Sequence, residues 1–445
     1  MNTRHITTKK SRMKLPATTH KLAIILVLVF LGLELNAQED SSDPDQEYGQ
    51  VADSIERAEH TYVNYELNHF TGNENSVNFN QYYQNFDRMM RYGIGKMNVV
   101  HFGGSHLQAD IWSNLLRERL QTIDTNIQGS RGILFPFKAA KTNRPYSYYV
   151  DWTGEWQGHR SSYSKHDNTW GVSGITATTT DSLVTLKFTF HQSPIPIKTK
   201  KFTLLSNLDS TDYELIVKAE NDNYVHTFPQ SDGYLRVEYG FEVDSIELIF
   251  KKLGNSDAEL KFYGLISNNY RPGITYHSIG VNGSRFVSFQ RCELFEEQLA
   301  YLKPDLLIMS IGTNDSSEPG YDSATYQSNF RLFLEQARRV NPNCAIMLTV
   351  PNDNYVRRKY HNDNLASVRS VTYELAEEFD AKVWDLYGLM GDAGSAQTWR
   401  DAGMMKSDLV HFTKDGYLLK GDLFYQAFLE DYLKWYNEQH PIWTE

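Results

Sequence analysis

The stretch Val99-Val100-His101-Phe102-Gly103-Gly104-Ser105-His106-Leu107-Gln108-Ala109-Asp110, VVHFGGSHLQAD, decides how the chain folds. A short apolar run, MNVV, leads into two glycines, and Leu107, Ile111, Leu115, Leu116 and Leu120 then recur at helical spacing. The pattern is a strand, a tight turn and a helix, with Ser105 at the turn. A serine there is ordinary, because its hydroxyl caps a helix start. Whether Ser105 does more depends on what the rest of the chain brings to the same edge.

The strand–helix alternation returns after residue 268. A helical stretch in VSFQRCELFEEQLAYL leads to the strand DLLIMSIG. Helix Tyr326–Val340, strand CAIMLTV, helix Leu365–Phe379, strand KVWDLY and a terminal helix from Lys414 follow. Such alternation predicts an α/β domain with a parallel sheet. Between the two parts the character differs. SLVTLKFTFH, YELIVKAE, YLRVEYGF, DSIELIFKKL and AELKFYGLIS are short, rich in β-branched and aromatic residues, and separated by Asn, Asp, Gly and Ser. They predict an all-β sandwich. The expected organisation is an α/β domain over residues 80–141 plus 269–445, interrupted by an inserted β-sandwich over 142–268.

The first 37 residues read as a signal peptide. Lys9, Lys10, Arg12, Lys14 and Lys21 precede the apolar run Leu22–Leu33, and small residues ending at Ala37 follow. Twelve apolar residues are short for a bilayer span, so stable membrane insertion is not expected and export to the periplasm or outside is. Residues 38–79 read as an acidic linker and N-terminal extension. From residue 38 onward 38 basic residues face 54 acidic ones, a balance of −16. That acidity argues against nucleic acid as a partner. Cys292 and Cys344 are the only cysteines, too few for a disulfide framework or a cysteine-based metal site.

Functional groups on a parallel sheet collect at the carboxyl ends of its strands. Four stretches fall there: Gly103-Gly104-Ser105, Gly280-Val281-Asn282-Gly283-Ser284, Gly312-Thr313-Asn314-Asp315 and Asp408-Leu409-Val410-His411. They hold the parts of an acyl-transfer site. His411 is a base for the Ser105 hydroxyl, and Asp408 is an orienting carboxylate for His411. The Ser105 N–H, the Gly283 N–H and the Asn314 amide are donors for an oxyanion. No cofactor and no metal is needed.

This set resembles the SGNH hydrolases, or GDSL-like esterases and lipases, named for Ser, Gly, Asn and His in four blocks. Ser105 in FGGSHLQAD, Gly283 in GVNGS, Asn314 in IGTND, and Asp408 with His411 in DLVHFT match the blocks in order. Gly280 competes with Gly283, and block alignment favours Gly283. The resemblance implies a three-layer α/β/α, flavodoxin-like domain. GSRGILFPF and GITYHSIGVNGS resemble the family's exported peptidoglycan O-acetylesterases, which carry a sandwich similar to a carbohydrate-binding module at this place. One position departs from the pattern: Gly104 stands where the family usually has aspartate. The implied activity is removal of O-acetyl or other short acyl groups from an O-acylated glycan. An O-acyltransferase and a silent glycan-binding protein are the alternatives.

Other polar residues carry blander expectations. His101, His106 and His277 read as packing residues, or substrate contacts at most, and Asp315 as a structural hydrogen-bonding group. Trp152, Trp156 and Trp170 can stack on sugars, although tryptophan is more often core. No carboxylate pair suits a glycosidase.

Overall fold

A computed structural model of the chain describes residues 60–123, 127–190, 198–219, 224–225, 228–229, 234–254 and 257–441. The expected signal peptide, 1–37, and residues 38–59 of the expected linker lie outside the described residues.

The central sheet is built from β1 (Phe70–Gly72), β2 (Lys96–Gly103), β3 (Gly273–Gly280), β4 (Leu306–Ser310), β5 (Ala345–Val350) and β6 (Lys382–Asp385). Their order is β1-β6-β5-β4-β2-β3. The strands from β2 to β6 run parallel, and β1 pairs antiparallel on β6. The helices are α1 (Val77–Tyr92), α2 (Ser105–Gln108), α3 (Trp112–Gln121), α4 (Phe286–Gln290), α5 (Phe295–Leu302), α6 (Thr313–Ser316), α7 (Ser323–Val340), α8 (Leu365–Glu378), α9 (Leu386–Met390), α10 (Ser395–Asp401) and α11 (Lys414–Gln439).

Both faces of this sheet are covered, which is why its strands read as continuous apolar runs. Met97, Val99, Ile308, Met347 and Trp384 point to one side, against Phe79, Tyr83, Trp112 and Phe428 from α1, α3 and α11. Val100, Phe102, Leu307, Met309, Ile346 and Leu348 point to the other, against Phe289, Phe295, Phe333 and Val368 from α4, α5, α7 and α8. The result is a three-layer α/β/α domain. Helix α7 begins at Ser323, earlier than the apolar spacing suggested, because the Asp322 carboxylate accepts the Thr325 N–H at 2.8 Å.

The insertion consists of two antiparallel sheets. One orders strands Tyr224–Val225, Tyr213–Lys218, Ser245–Lys252, Leu183–Thr189 and Tyr149–Thr153; the other includes Leu235–Val243, Thr199–Ser206, Leu260–Asn268, Ile175–Thr179 and Gln157–Arg160. Alternate residues of Leu183–Thr189, namely Val184, Leu186 and Phe188, are fully buried between the sheets. The three-residue strand Gly132–Leu134 also belongs here, pairing antiparallel with Leu260–Asn268. It lies inside the 80–141 span expected for the α/β domain, and it is too short to show a period in the sequence. The span expected as linker likewise carries β1 and the first residues of α1, which Ser76 caps through Phe79 N–H.

A buried ion pair fastens the insertion to the loop after α2. Arg131 Nη2 lies 2.5 Å from Asp110 Oδ2, with both side chains 2% exposed. Ser113 and Ser147 also donate to the Asp110 carboxylate. Cys292 and Cys344 are buried free thiols. Among the described residues no helix is long and apolar enough to cross a membrane.

Removing one partner of a buried pair strands the other charge. Arg131→Met is expected to destabilise the protein by about 3–5 kcal/mol, read by denaturant unfolding. A loss below about 1 kcal/mol contradicts the fastening role.

Candidate active site

The site lies where β2, β3 and β4 end side by side. Residue Ser105 opens α2 immediately beyond β2 and is partly exposed. Helix α2 crosses so close over the end of β3 that a Cβ on Gly280 would lie 2.1 Å from Gln108 N. Gly280 is therefore a packing glycine. Gly283 is different: it is exposed, has φ of +77°, and leaves its surroundings open. Gly283 N–H thus stands at the surface of a turn whose shape suits glycine.

Ser284 ties three of the sequence blocks together. Its hydroxyl donates to the Gly103 carbonyl at 3.2 Å, and its own carbonyl accepts from Asn314 Nδ2 at 3.0 Å. An amide carries two protons, so one Asn314 donor remains for a ligand. Asn314 Nδ2 also borders the Gly104-Ser105 turn, since a Cβ on Gly104 would lie 3.2 Å from it. The departure at Gly104 thus leaves room that the Asn314 amide occupies. From the other side, the buried Gln108 side chain accepts the Asn282 N–H at 2.7 Å and donates to Thr142 and Asn143.

Asp408 and His411 come from the loop before α11. The loop is closed at its base by Met405 pairing with Phe412, and Lys406 N–H donates to the His411 carbonyl at 2.8 Å. Leu409 takes φ of +56°, a left-handed conformation uncommon for a branched residue. That turn aims the N–H groups of Val410 and His411 at Asp408 Oδ1, both at 2.9 Å. Asp408 Oδ2 lies 2.9 Å from His411 Nδ1, and His411 Nε2 lies 2.8 Å from Ser105 Oγ. Burial raises the Asp408 carboxyl, but the His411 N–H, the His411 ring and the Val410 N–H outweigh it and hold it below its usual range. The carboxylate stays ionised, and the unbroken chain can move a proton from Ser105 to His411.

The remaining histidines pack. His106 is buried against the His411 ring, 5.1 Å between centroids, and bonds Tyr417. Burial pushes its pKa well below the ordinary value. His101 bridges the Tyr276 and Ser310 hydroxyls under β2, and burial pushes His277 down to about 3. Trp156 and Trp170 are buried, whereas Trp152 is 42% exposed. Asp315 caps α4 through the Phe286 N–H at 3.2 Å.

Sequence reasoning missed the loop after β5. There Asn352 Nδ2 donates to the Val410 carbonyl at 3.2 Å, and Tyr355 N–H to the Leu409 carbonyl at 3.0 Å. Its signal was the Asn/Asp-rich PNDNYVRRKYHND directly at the carboxyl end of a parallel strand.

Residues 257–419 match the GDSL-like lipase/acylhydrolase family. The match spans Gly283, Asn314, Asp408 and His411, while Ser105 lies before it, across the insertion. No curated protein matches the chain. Among solved structures, a peptidoglycan O-acetylesterase aligns with a TM-score of 0.67 at 20% identity, covering 82% of this chain and 99% of that one. A GDSL-like lipase from Bacteroides thetaiotaomicron matches at 21% identity, covering 35% of this chain and 76% of its own, with a TM-score of 0.29. A family two carbohydrate esterase from Cellvibrio japonicus matches at 13% identity, covering 65% and 99%, with a TM-score of 0.25. The chain has the SGNH hydrolase fold, carries a GDSL-like acylhydrolase domain and is a carboxylic ester hydrolase.

Two outcomes test this geometry. Gly104→Ala presses on the Asn314 amide, so kcat on an activated acetyl ester is expected to fall about tenfold with KM changed less than about twofold. Unchanged kcat contradicts the crowding. The second concerns Asp315, whose carboxyl burial pushes up to about 7 against the Phe286 N–H and Arg285. A folded pKa above the unfolded one gives stability that is present at low pH and lost as pH rises through about 7. Asp315→Asn is expected to flatten the fall of Tm between about pH 5 and pH 8. Parallel Tm curves for the two proteins contradict it.

Proposed function

We propose that this chain is an exported serine esterase that removes O-acetyl or other short acyl groups from an O-acylated glycan. The observation that carries the reading is the unbroken Asp408–His411–Ser105 hydrogen-bond chain at the carboxyl edge of the sheet. In this mechanism Ser105 Oγ attacks the ester carbonyl as His411 Nε2 takes its proton. Asp408 holds His411 in the required tautomer and stabilises the imidazolium. The Ser105 N–H, the Gly283 N–H and the free proton of Asn314 Nδ2 receive the charge on the carbonyl oxygen. His411 returns the proton to the leaving sugar hydroxyl, giving an acyl-Ser105 ester. Water, deprotonated by His411, attacks that ester and releases the carboxylic acid and free Ser105.

Two features support a polymeric substrate and hydrolysis. His411 and Asp408 side chains remain 34% and 26% exposed, so the site is open to a long chain and to water. The fold is also shared with a structure described as a peptidoglycan O-acetylesterase. Water access favours the hydrolase over an acyltransferase, and the 2.8 Å Ser105–His411 contact favours activity over a silent binder. In this reading the inserted sandwich positions the polymer, and the signal peptide of residues 1–37 directs export.

Acetate release from O-acetylated glycans, together with turnover of an activated acetyl ester, tests the reading. Ser105→Ala is expected to lower kcat by at least about 1,000-fold, and Asp408→Asn by about 100- to 10,000-fold. Ser105→Ala protein that retains the wild-type rate on both substrates refutes the assignment.

A further inference from the structure

The loop between β5 and α8 carries a small hairpin with arms Tyr355–Val356 and Tyr360–His361, Tyr355 opposite His361 and Val356 opposite Tyr360. The Lys359 N–H donates to the Val356 carbonyl at 3.2 Å and closes the turn. Both central residues, Arg357 and Arg358, have positive φ, +52° and +60°. The loop has three residues, Arg357 to Lys359, and its first two take the left-handed backbone that Gly and Asn adopt most readily. Placing two arginines there opposes the backbone preference of L-residues, and such strain tends to persist where it serves a function.

Charge points the same way. Arg357, Arg358 and Lys359 are the only run of three consecutive cations in a chain with 55 Asp and Glu against 44 Lys and Arg. All three are exposed, and among the described residues none forms an ion pair. The nearby acids of the hairpin base, Asp353 and Asp363, are both taken up by His361 at 2.8 Å each.

The hairpin base is fixed to both halves of the active site. Tyr355 N–H bonds the Leu409 carbonyl, and Asn352 bonds the Val410 carbonyl, next to His411. Asn362 Nδ2 donates to Ser316 Oγ at 2.8 Å, on the helix that carries Asn314. Asp353 also accepts the Ala396 N–H at 2.9 Å. At about 3.3 Å per residue, the turn stands roughly 7 Å beyond Tyr355, which is itself bonded to the loop that carries Asp408 and His411.

We infer that the Arg357-Arg358-Lys359 turn docks carboxylates of an anionic glycan, so that the substrate is a carboxylate-bearing polymer. This rests on the esterase reading and adds its substrate class. Guanidinium groups pair with carboxylates in two-point geometry, and local cations offset the repulsion that an acidic protein exerts on a polyanion. The carboxylates can belong to uronic acid rings or to peptides attached to the glycan.

The test compares wild type with the Arg357→Gln/Arg358→Gln/Lys359→Gln protein on three substrates of matched acetyl content: a polyuronate, peptide-bearing peptidoglycan and a neutral glucomannan. The triple variant is expected to raise KM about tenfold on at least one carboxylate polymer, with kcat, the neutral polymer and a small acetyl ester unchanged. Which carboxylate polymer responds identifies the source. Equal KM shifts on charged and neutral polymers, or no shift, overturn the inference.

Binding is measured separately with Ser105→Ala protein, so that an inactive enzyme leaves the docking test intact. Retention on the carboxylate polymer at low salt, lost in the triple variant, supports docking; equal retention of both overturns it. Arg357→Asn/Arg358→Gly supplies the residues this turn prefers. It is expected to raise Tm while weakening that retention, and retention at wild-type strength overturns the inference.

Discussion

Strand β2 is held between two parallel neighbours and sealed by apolar layers on both faces, and this constraint organises the rest of the molecule. Val99, Val100 and Phe102 have no exposure, so polar chemistry can emerge only past Gly103 at its carboxyl end. Growth of the sheet also reverses at β2. The chain adds β3 on one side and then β4 on the other, so the loops beyond these strands diverge and leave a crevice between them. Ser105, Gly283 and Asn314 line that crevice because each directly follows one of the three strands. Asp408 and His411 arrive from outside the sheet, on a loop closed at its own base.

The inserted sandwich is accommodated without disturbing this edge. Leu260–Asn268 runs out of the sandwich and within a few residues becomes β3, which aligns with β2 over its full length. On the entry side, the Asp110–Arg131 pair fixes the start of the insertion just beyond the helix that Ser105 opens. Loops of the insertion also reach the site: the Ser162 hydroxyl donates to the Asn282 carbonyl at 2.7 Å. Among the described residues, four of the eight non-glycine residues with positive φ, Asp110, Leu409, Arg357 and Arg358, lie on loops at this edge. At Leu409 the purpose is visible, since the turn brings two N–H donors onto Asp408.

Local pattern revealed what local pattern encodes. The buried strands and amphipathic helices were legible from apolar spacing, and the α/β class from their alternation. The candidate site was legible because Ser105, Gly283, Asn314, Asp408 and His411, which the fold brings to one edge, each sit in a short block at a strand end or before a helix. What escaped depends on distant partners. β1 is three residues long and exists by pairing with β6, more than 300 residues later. Gly132–Leu134 becomes a strand only against Leu260–Asn268. The hairpin at Tyr355–His361 has bulky arginines at left-handed positions that Gly or Asn usually fill, so its composition hid its shape.

The most direct measurement of the central claim is covalent trapping. The intact protein, treated with a serine-reactive fluorophosphonate, is digested and mapped by mass spectrometry. The predicted result is one phosphonate adduct on Ser105, greatly slowed when His411 is replaced by alanine. No adduct, or an adduct on another residue with Ser105 unmodified, contradicts the account.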